Sequence, residues 1–113
     1  MLLSSFTEHT VPSGSPRSLT GSVESSTLIL LSWELPSPYD RNGEIVYYLI
    51  HMYEHETGKF WTLPVFNNRI SAYVGSLHPY YHYECKVAAY TTGLGPYSES
   101  ITLLTQQEGE TGT

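Results

Sequence analysis

The stretch that decides the fold is LHPYYHYECKVAA, residues 77–89. From Tyr83 onward its apolar side chains recur at every second position, the period of a strand with one buried face. We therefore predict a strand from Tyr81 to Thr91 whose core face carries Tyr83, Cys85, Val87 and Ala89.

Six further segments have the same character, and no window keeps a 3.6-residue apolar period that would predict a helix. They are a segment around Leu19, Thr27–Trp33, Ile45–Tyr53, Phe60–Leu63, Ile70–Val74 and Ser98–Thr105. Pro64 marks the fourth as a sheet edge, because proline cannot donate to a ladder. Seven short strands with turn signals about every ten residues predict an all-β fold, a seven-stranded antiparallel β-sandwich.

Alternation also predicts the inward faces of two other strands. In the segment that ends at Trp33, these are Ile29, Leu31 and Trp33. In the segment that begins at Ile45, they are Val46, Tyr48, Ile50 and Met52. Between the two segments, Asp40-Arg41-Asn42-Gly43 has the composition of a turn, since Asn and Gly tolerate positive φ.

The length and the net charge of the chain limit the functions that it can have. A chain of 113 residues is one domain. Its net charge of −6 argues against nucleic acid or an anionic membrane as partner. The longest apolar run, Leu28–Leu31, is too short for direct membrane insertion. The first eight residues have no signal-peptide character, so we expect either a cytosolic protein or a module that begins partway along a larger chain.

Two series of residues resemble a fibronectin type III domain, an immunoglobulin-like β-sandwich. The first is Trp33, Pro36 and Gly43-x-Ile45-x-x-Tyr48-x-Ile50. The second is Leu77-x-Pro79-x-x-x-Tyr83-x-Cys85-x-Val87-x-Ala89, followed by Gly93-x-Gly95-Pro96-x-Ser98 and Thr105. The resemblance implies a domain over residues 16–105, with residues 1–15 as an N-terminal linker and 106–113 as a C-terminal tail. It also implies that Tyr83 is a corner tyrosine whose hydroxyl bonds to backbone near Leu77 and Pro79.

The structural core is expected to contain six residues from these series, namely Trp33, Tyr48, Ile50, Leu77, Tyr83 and Val87.

The two ends of the chain indicate that it is one module of a tandem array. Phe6-Thr7-Glu8-His9 precedes Leu104-Thr105-Gln106-Gln107 by 98 residues, about one module length. Val11–Pro16 is then a semi-rigid linker. The linker and the Gly93–Ser98 turn are similar to modules in ectodomains of receptor-type tyrosine phosphatases and neural adhesion receptors.

The candidate catalytic and metal-ligating residues of this sequence give little support for an active site or a metal site. His51 and His55, like His78 and His82, are four residues apart, which on a strand separates them by about 13 Å, too far for one zinc ion to bridge. Glu54 and Glu56 flank a turn and are expected to be solvated rather than catalytic. Cys85, the single cysteine, is expected to be buried and inert, and it excludes an internal disulfide and a thiolate metal cage. We predict no enzyme, no metal site and no cofactor.

Three functions remain. The first is a non-catalytic protein-interaction and spacer module of an extracellular receptor or cell-adhesion protein, located at the cell surface. The second is a structural module of an intracellular filament or scaffold protein, which would be cytoplasmic. The third is a spacer in a secreted microbial enzyme.

Other proteins or neighbouring modules are the expected partners, and two outward surfaces compete to bind them. On one sheet, Tyr47, Leu49, Tyr53 and Tyr90 form a candidate partner face, with His51, His82 and Lys86 beside them. On the other sheet, Leu28, Leu30 and Tyr73 form a candidate association face for a neighbouring module or for weak self-association.

Overall fold

The computed structural model describes residues 11–108 as two stacked antiparallel sheets, so the predicted β-sandwich is confirmed. Among these residues one 3₁₀ turn, Pro38–Asp40, lies between the second and third strands. The seven strands are β1 Arg17–Val23, β2 Ile29–Glu34, β3 Tyr47–Glu54, β4 Phe60–Val65, β5 Ser71–Val74, β6 His82–Tyr90 and β7 Ile101–Leu104.

The strands divide into a three-stranded sheet, in the order β1-β2-β5, and a four-stranded sheet, in the order β4-β3-β6-β7. β4 is an edge strand, as Pro64 predicts, and Pro64 lies opposite Leu49 of β3. An edge position tolerates proline because only one side of the strand needs to donate hydrogen bonds.

The core lies between the sheets, and the predicted inward residues of β2 and β6 are buried in it. Ala88, an outward position of β6, is also 0% exposed but lies outside the core cluster. Ile29, Leu31 and Trp33 of β2 are at most 2% exposed. The six residues named above as the structural core all belong to one buried cluster. Interdigitation of two apolar faces is the main source of stability in such a sandwich.

The prediction that Val46 faces the core is wrong, because Val46 is 55% exposed and the neighbouring Ile45 is 8% exposed. The ladder of β3 begins only at Tyr47. Upstream of it, Asn42 and Gly43 have positive φ angles of 56° and 134°. The alternation of a strand does not extend into this irregular segment.

Other predicted strand ends differ by a few residues from the observed ones. Leu28 lies outside β2 because its carbonyl accepts bonds from Glu24 and Ser25 and closes the preceding turn. Ser98 lies outside β7, although its N–H donates to the Val87 carbonyl. β4 continues past its predicted end at Leu63.

The segment before β1 is packed onto the sandwich. The N–H groups of Ser13 and Gly14 donate to the Asp40 carbonyl, and Pro12 is fully buried. A Cβ atom on Gly95 would lie 2.9 Å from the Pro12 carbonyl oxygen, so the two backbones approach closely. The Phe6–His9 tract lies outside the described residues. Within residues 11–108 no helix is long and apolar enough to cross a membrane.

Candidate functional site

The outward surface of the four-stranded sheet carries the residues that the sequence predicts as a partner face. Tyr47, Leu49 and Tyr53 alternate along β3 on the side away from the core, and Tyr90 of β6 lies opposite Tyr47. All four residues are half-buried. The structure therefore brings these residues, called the partner face from here on, onto one continuous surface.

Ring contacts hold one end of the partner face in place. Tyr47 stacks on Tyr90 with ring centroids 4.6 Å apart and planes 12° apart. The centroid of Phe66 lies 5.4 Å from that of Tyr47 on another side. Because both neighbours already restrict the Tyr47 ring, this side chain would lose little conformational entropy when a partner binds it.

His51 occupies the middle of the partner face. Its ring centroid lies 5.8 Å from that of Phe60, nearly parallel, and 5.8 Å from that of Tyr97, edge to face. The Lys86 ammonium lies 4.9 Å from the Tyr97 ring centroid, within cation–π range. Burial and the Lys86 charge lower the pKa of His51, although Glu84 opposes them. This imidazole is therefore neutral at neutral pH.

Sequence reasoning missed three aromatic members of this surface, namely Phe60, Phe66 and Tyr97. Phe60 is 66% exposed and lies opposite Tyr53 in the β3–β4 ladder, so the register of that hairpin would have found it. Phe66 and Tyr97 lie outside the strands, where alternation has no meaning. Their placement depends on the packed structure.

Two histidine–carboxylate pairs lie at the end of β3, beyond Tyr53. His55 Nε2 is 3.0 Å from Glu84 Oε1, and His82 Nδ1 is 2.6 Å from Glu56 Oε2. The Glu56 carboxylate also accepts the backbone N–H of His82. A hydrogen bond from His82 lowers the pKa of Glu56, and hydrogen bonds from Ser100 and His55 lower that of Glu84.

The histidines therefore meet across strands rather than along them, with the ring centroids of His55 and His82 6.4 Å apart. In residues 11–108 no group of three or more His, Cys, Asp or Glu side chains could hold a metal ion.

The prediction that Glu54 is solvated is wrong, because this residue is 3% exposed. It is the last residue of β3 and continues the inward series of that strand. Its carboxylate accepts hydrogen bonds from the Tyr83 hydroxyl at 2.7 Å and from the Thr57 hydroxyl at 2.5 Å. A buried carboxylate is stable only with such partners.

Tyr83 joins this carboxylate to the backbone. Its hydroxyl accepts a hydrogen bond from the His78 N–H at 2.8 Å, between Leu77 and Pro79, as the resemblance implies for a corner tyrosine. Burial and the Glu54 carboxylate raise the pKa of Tyr83, so the phenol stays protonated and can donate. The group of Glu54, Thr57 and Tyr83 is a structural network at the C-terminal end of β3.

Cys85 is the candidate nucleophile, and it is fully buried. Burial raises the pKa of its thiol to about 12, with a smaller contribution from Glu84. A thiol in this state is neither a nucleophile nor a metal ligand at neutral pH.

The outward surface of the three-stranded sheet carries Leu30 and Tyr73 of the predicted association face, and Leu28 lies just before β2. Tyr73 is 64% exposed, whereas Leu28 and Leu30 are half-buried. Leu30 lies directly opposite Tyr73 in the β2–β5 ladder. The two residues also line an open groove of about 510 Å³ beside β5.

Comparison with known proteins identifies the family. The model of the fibronectin type III domain matches residues 14–103. Tyrosine-protein phosphatase Lar of Drosophila melanogaster is 38% identical over 106 residues, which cover 90% of this chain. Protein sidekick-2 of Gallus gallus is 30% identical over 107 residues, again 90% of the chain. The chain spans about 5% of the length of these relatives.

Solved structures agree with this identification. The FN5 domain of Drosophila Lar superposes with a TM-score of 0.70 at 30% identity, over 85% of this chain and 98% of that domain. The third fibronectin III domain of human KIAA0343 protein superposes with a TM-score of 0.82 at 19% identity, over 89% of this chain and 88% of that one. The second comparison concerns the fold alone.

Proposed function

Because the chain belongs to the fibronectin type III family, we propose that it is a non-catalytic interaction and spacer module in the extracellular part of a cell-surface receptor or adhesion protein. Its similarity to Lar and sidekick-2 supports this setting over an intracellular filament or a secreted microbial enzyme. The phosphatase activity in the name of Lar belongs to that protein, of which this chain matches about 5%.

The partner face is the observation that carries the interaction role. It presents tyrosines whose rings are already held by their neighbours, such as Tyr47 between Tyr90 and Phe66. Tyrosines are enriched among the residues that dominate binding energy, since they bury much area with few rotatable bonds. A protein partner of mixed polarity fits this surface, because Lys86 and Glu84 lie among its rings.

The packed segment before β1 supports the spacer role. The Asn42 side-chain amide donates to the Val11 carbonyl at 3.0 Å, and the Ser13 hydroxyl lies 3.1 Å from the Asp40 carboxylate. These bonds fix the direction in which the chain enters the sandwich. A module with a fixed entry direction transmits orientation to whatever precedes it, unlike one on a flexible linker.

The state of the candidate nucleophile supports the absence of catalysis. Catalysis by a cysteine needs an accessible thiolate beside a base. Cys85 is 0% exposed, and burial raises the pKa of its thiol. We therefore assign Cys85 to packing.

The test is binding of a multimerised form of the chain to a panel of purified receptor ectodomains, with the chain itself included. A double variant, Tyr47→Ala with Tyr53→Ala, should lose at least tenfold in affinity for its partner. The matched control replaces Tyr39 and Tyr80 by Ala, because these tyrosines are 92% and 55% exposed and lie outside the partner face. Equal affinity of both double variants, with folding intact, would exclude the partner face as the binding site.

A further inference from the structure

The registers of the three-stranded sheet arrange its outward side chains in two rows. The first row is Ser22 on β1, Leu30 on β2 and Tyr73 on β5. The second row, in the same strand order, is Thr20, Ser32 and Ser71. Both rows have a small residue on the edge strand β1. In the first row the side chains become larger from β1 through β2 to β5.

These two rows contain no charged residue, although the whole chain carries a net charge of −6. The charged side chain that lines the groove beside Leu30, Ser71 and Tyr73 is Arg69, whose positive charge does not add to the repulsion between acidic copies. The outward surface of the other sheet differs, because Lys86 and Glu84 lie within it. Two copies of an acidic chain repel each other least where an uncharged surface meets an uncharged surface. Charge therefore favours the three-stranded sheet as the place where a second copy can approach.

The side-chain sizes in the first row make it complementary in shape to the same row of a second copy. A two-fold axis parallel to the central strand β2 places β1 of one copy over β5 of the other. The Tyr73 ring of each copy then covers the small Ser22 of the other, and the two Leu30 side chains meet at the axis. Such an isologous contact uses one surface twice and closes after two copies.

We propose that the association face of Leu28, Leu30 and Tyr73 binds the same face of a second copy of this chain, about a two-fold axis parallel to β2. The two sheets stack face to face, about 10 Å apart. This contact is separate from the partner face and does not depend on the proposed function.

The charged residues at the margins are compatible with this arrangement. Glu24 accepts a hydrogen bond from the Ser22 hydroxyl at 2.8 Å and lies next to β1. The axis puts the two Glu24 residues on opposite edges, with their backbones about 14 Å apart from strand and sheet spacings. Glu34, at the exposed end of β2, meets the Glu34 of the second copy at the axis, and Arg17 lies opposite Glu34 within each chain.

The size of the face determines how strong the contact is. Three strands about 4.8 Å apart and two to three side-chain rows give a footprint on the order of 300 Å² per copy. Stable interfaces bury roughly 800 Å² per partner. The dimer is therefore weak in solution and becomes populated only where the local concentration of the chain is high.

Sedimentation equilibrium of the chain tests this proposal, from about 20 µM to about 1 mM, where weak complexes become visible. We expect the mean mass to rise with concentration, and to rise further with added salt, since salt screens the repulsion between acidic copies. Leu30→Glu should weaken association at least tenfold. Thr62→Glu, the same charge change at an exposed position of β4, should not. Monomers at every concentration, or equal effects of both variants, would overturn the proposal.

Cross-linking tests the axis. A disulfide needs Cα atoms within about 7 Å, so a short bismaleimide is used to bridge the sheets. Ser22→Cys mixed with Tyr73→Cys should cross-link far better than either variant alone, and Leu30→Cys should cross-link to itself. Cys85 is buried and does not compete. Self-linking of Ser22→Cys without mixed linking would place β1 over β1 and overturn the proposed axis. Thermal unfolding of each variant verifies folding.

Discussion

Replacing Tyr83 by Phe removes one oxygen atom from the buried end of the sandwich and breaks two hydrogen bonds. The hydroxyl donates to Glu54 Oε2 at 2.7 Å and accepts the His78 N–H at 2.8 Å. Tyr83 is 0% exposed and Glu54 is 3% exposed, so solvent does not easily replace the lost donor. The variant therefore leaves a carboxylate that is buried with one donor fewer.

The expected loss follows from the two bonds. A hydrogen bond to a charged group contributes about 1.5–3 kcal/mol to the free energy of unfolding, and a neutral one about 0.5–1.5 kcal/mol. Tyr83→Phe should therefore cost about 2–4.5 kcal/mol. That is a large fraction of the roughly 5–15 kcal/mol that stabilises a domain of this size.

Urea titration at neutral pH measures this loss, with the slope of the transition expected to stay constant. The matched control is Tyr73→Phe, whose residue is 64% exposed. It should change the free energy of unfolding by less than about 0.5 kcal/mol. A double-mutant cycle with Glu54→Gln should give a coupling free energy of about 0.5–3 kcal/mol between the two side chains.

The loss should also depend on pH. Burial raises the pKa of Glu54, but hydrogen bonds from Thr57 and Tyr83, together with the charges of His78 and Lys59, outweigh it and hold the pKa below its ordinary value. A carboxyl with a lowered folded pKa stabilises the fold above its unfolded pKa, and this stabilisation is lost as pH falls through the folded pKa. The difference between wild type and Tyr83→Phe should thus shrink from about pH 7 to about pH 3. A loss below about 0.5 kcal/mol, or one that is constant over this pH range, would refute the network.

Two further predictions concern packing. The Cys85 thiol, whose pKa burial raises to about 12, should not react with a thiol reagent at neutral pH until denaturant unfolds the chain; rapid native reaction would show that the thiol is accessible. Gly21→Ala should cost about 1–3 kcal/mol by urea titration, because its Cβ would lie 2.5 Å from Leu103 Cδ1. Gly75→Ala is the control, since its Cβ would meet only Leu28 Cδ1 at 3.6 Å; equal losses would mean that Leu103 moves aside freely.

Alternation along the chain was enough to predict most of the core, because side-chain direction in a strand is a local property. It succeeded at Ile29–Trp33 and from Tyr83 to Val87, where buried and partly exposed residues alternate. It failed at Val46, which lies one residue before β3 begins. The end of a ladder depends on hydrogen bonds to another strand, and these are not visible in the local sequence.

The burial of Glu54 also shows that the end of a strand is not visible in the local sequence. Here the strand is longer than predicted, whereas at Val46 it is shorter. The sequence predicted that the third strand ends at Tyr53, and the strand runs one residue further. That extra residue belongs to the inward series, and its carboxylate is stable there only because Tyr83, 29 residues away, donates to it. A charged residue after an apolar strand is usually solvated, and only a distant partner changes that outcome.

The sequence by itself determined that this protein is a β-sandwich of the fibronectin type III kind, because strand period, turn residues and the spacing of Trp33, Tyr48 and Tyr83 are written along the chain. Tertiary structure alone decided which outward residues meet. The stacking of Tyr47 on Tyr90 and the row of Ser22, Leu30 and Tyr73 depend on registers between strands that are far apart in sequence. The physical reason is that period is local, whereas register results from packing of the whole fold.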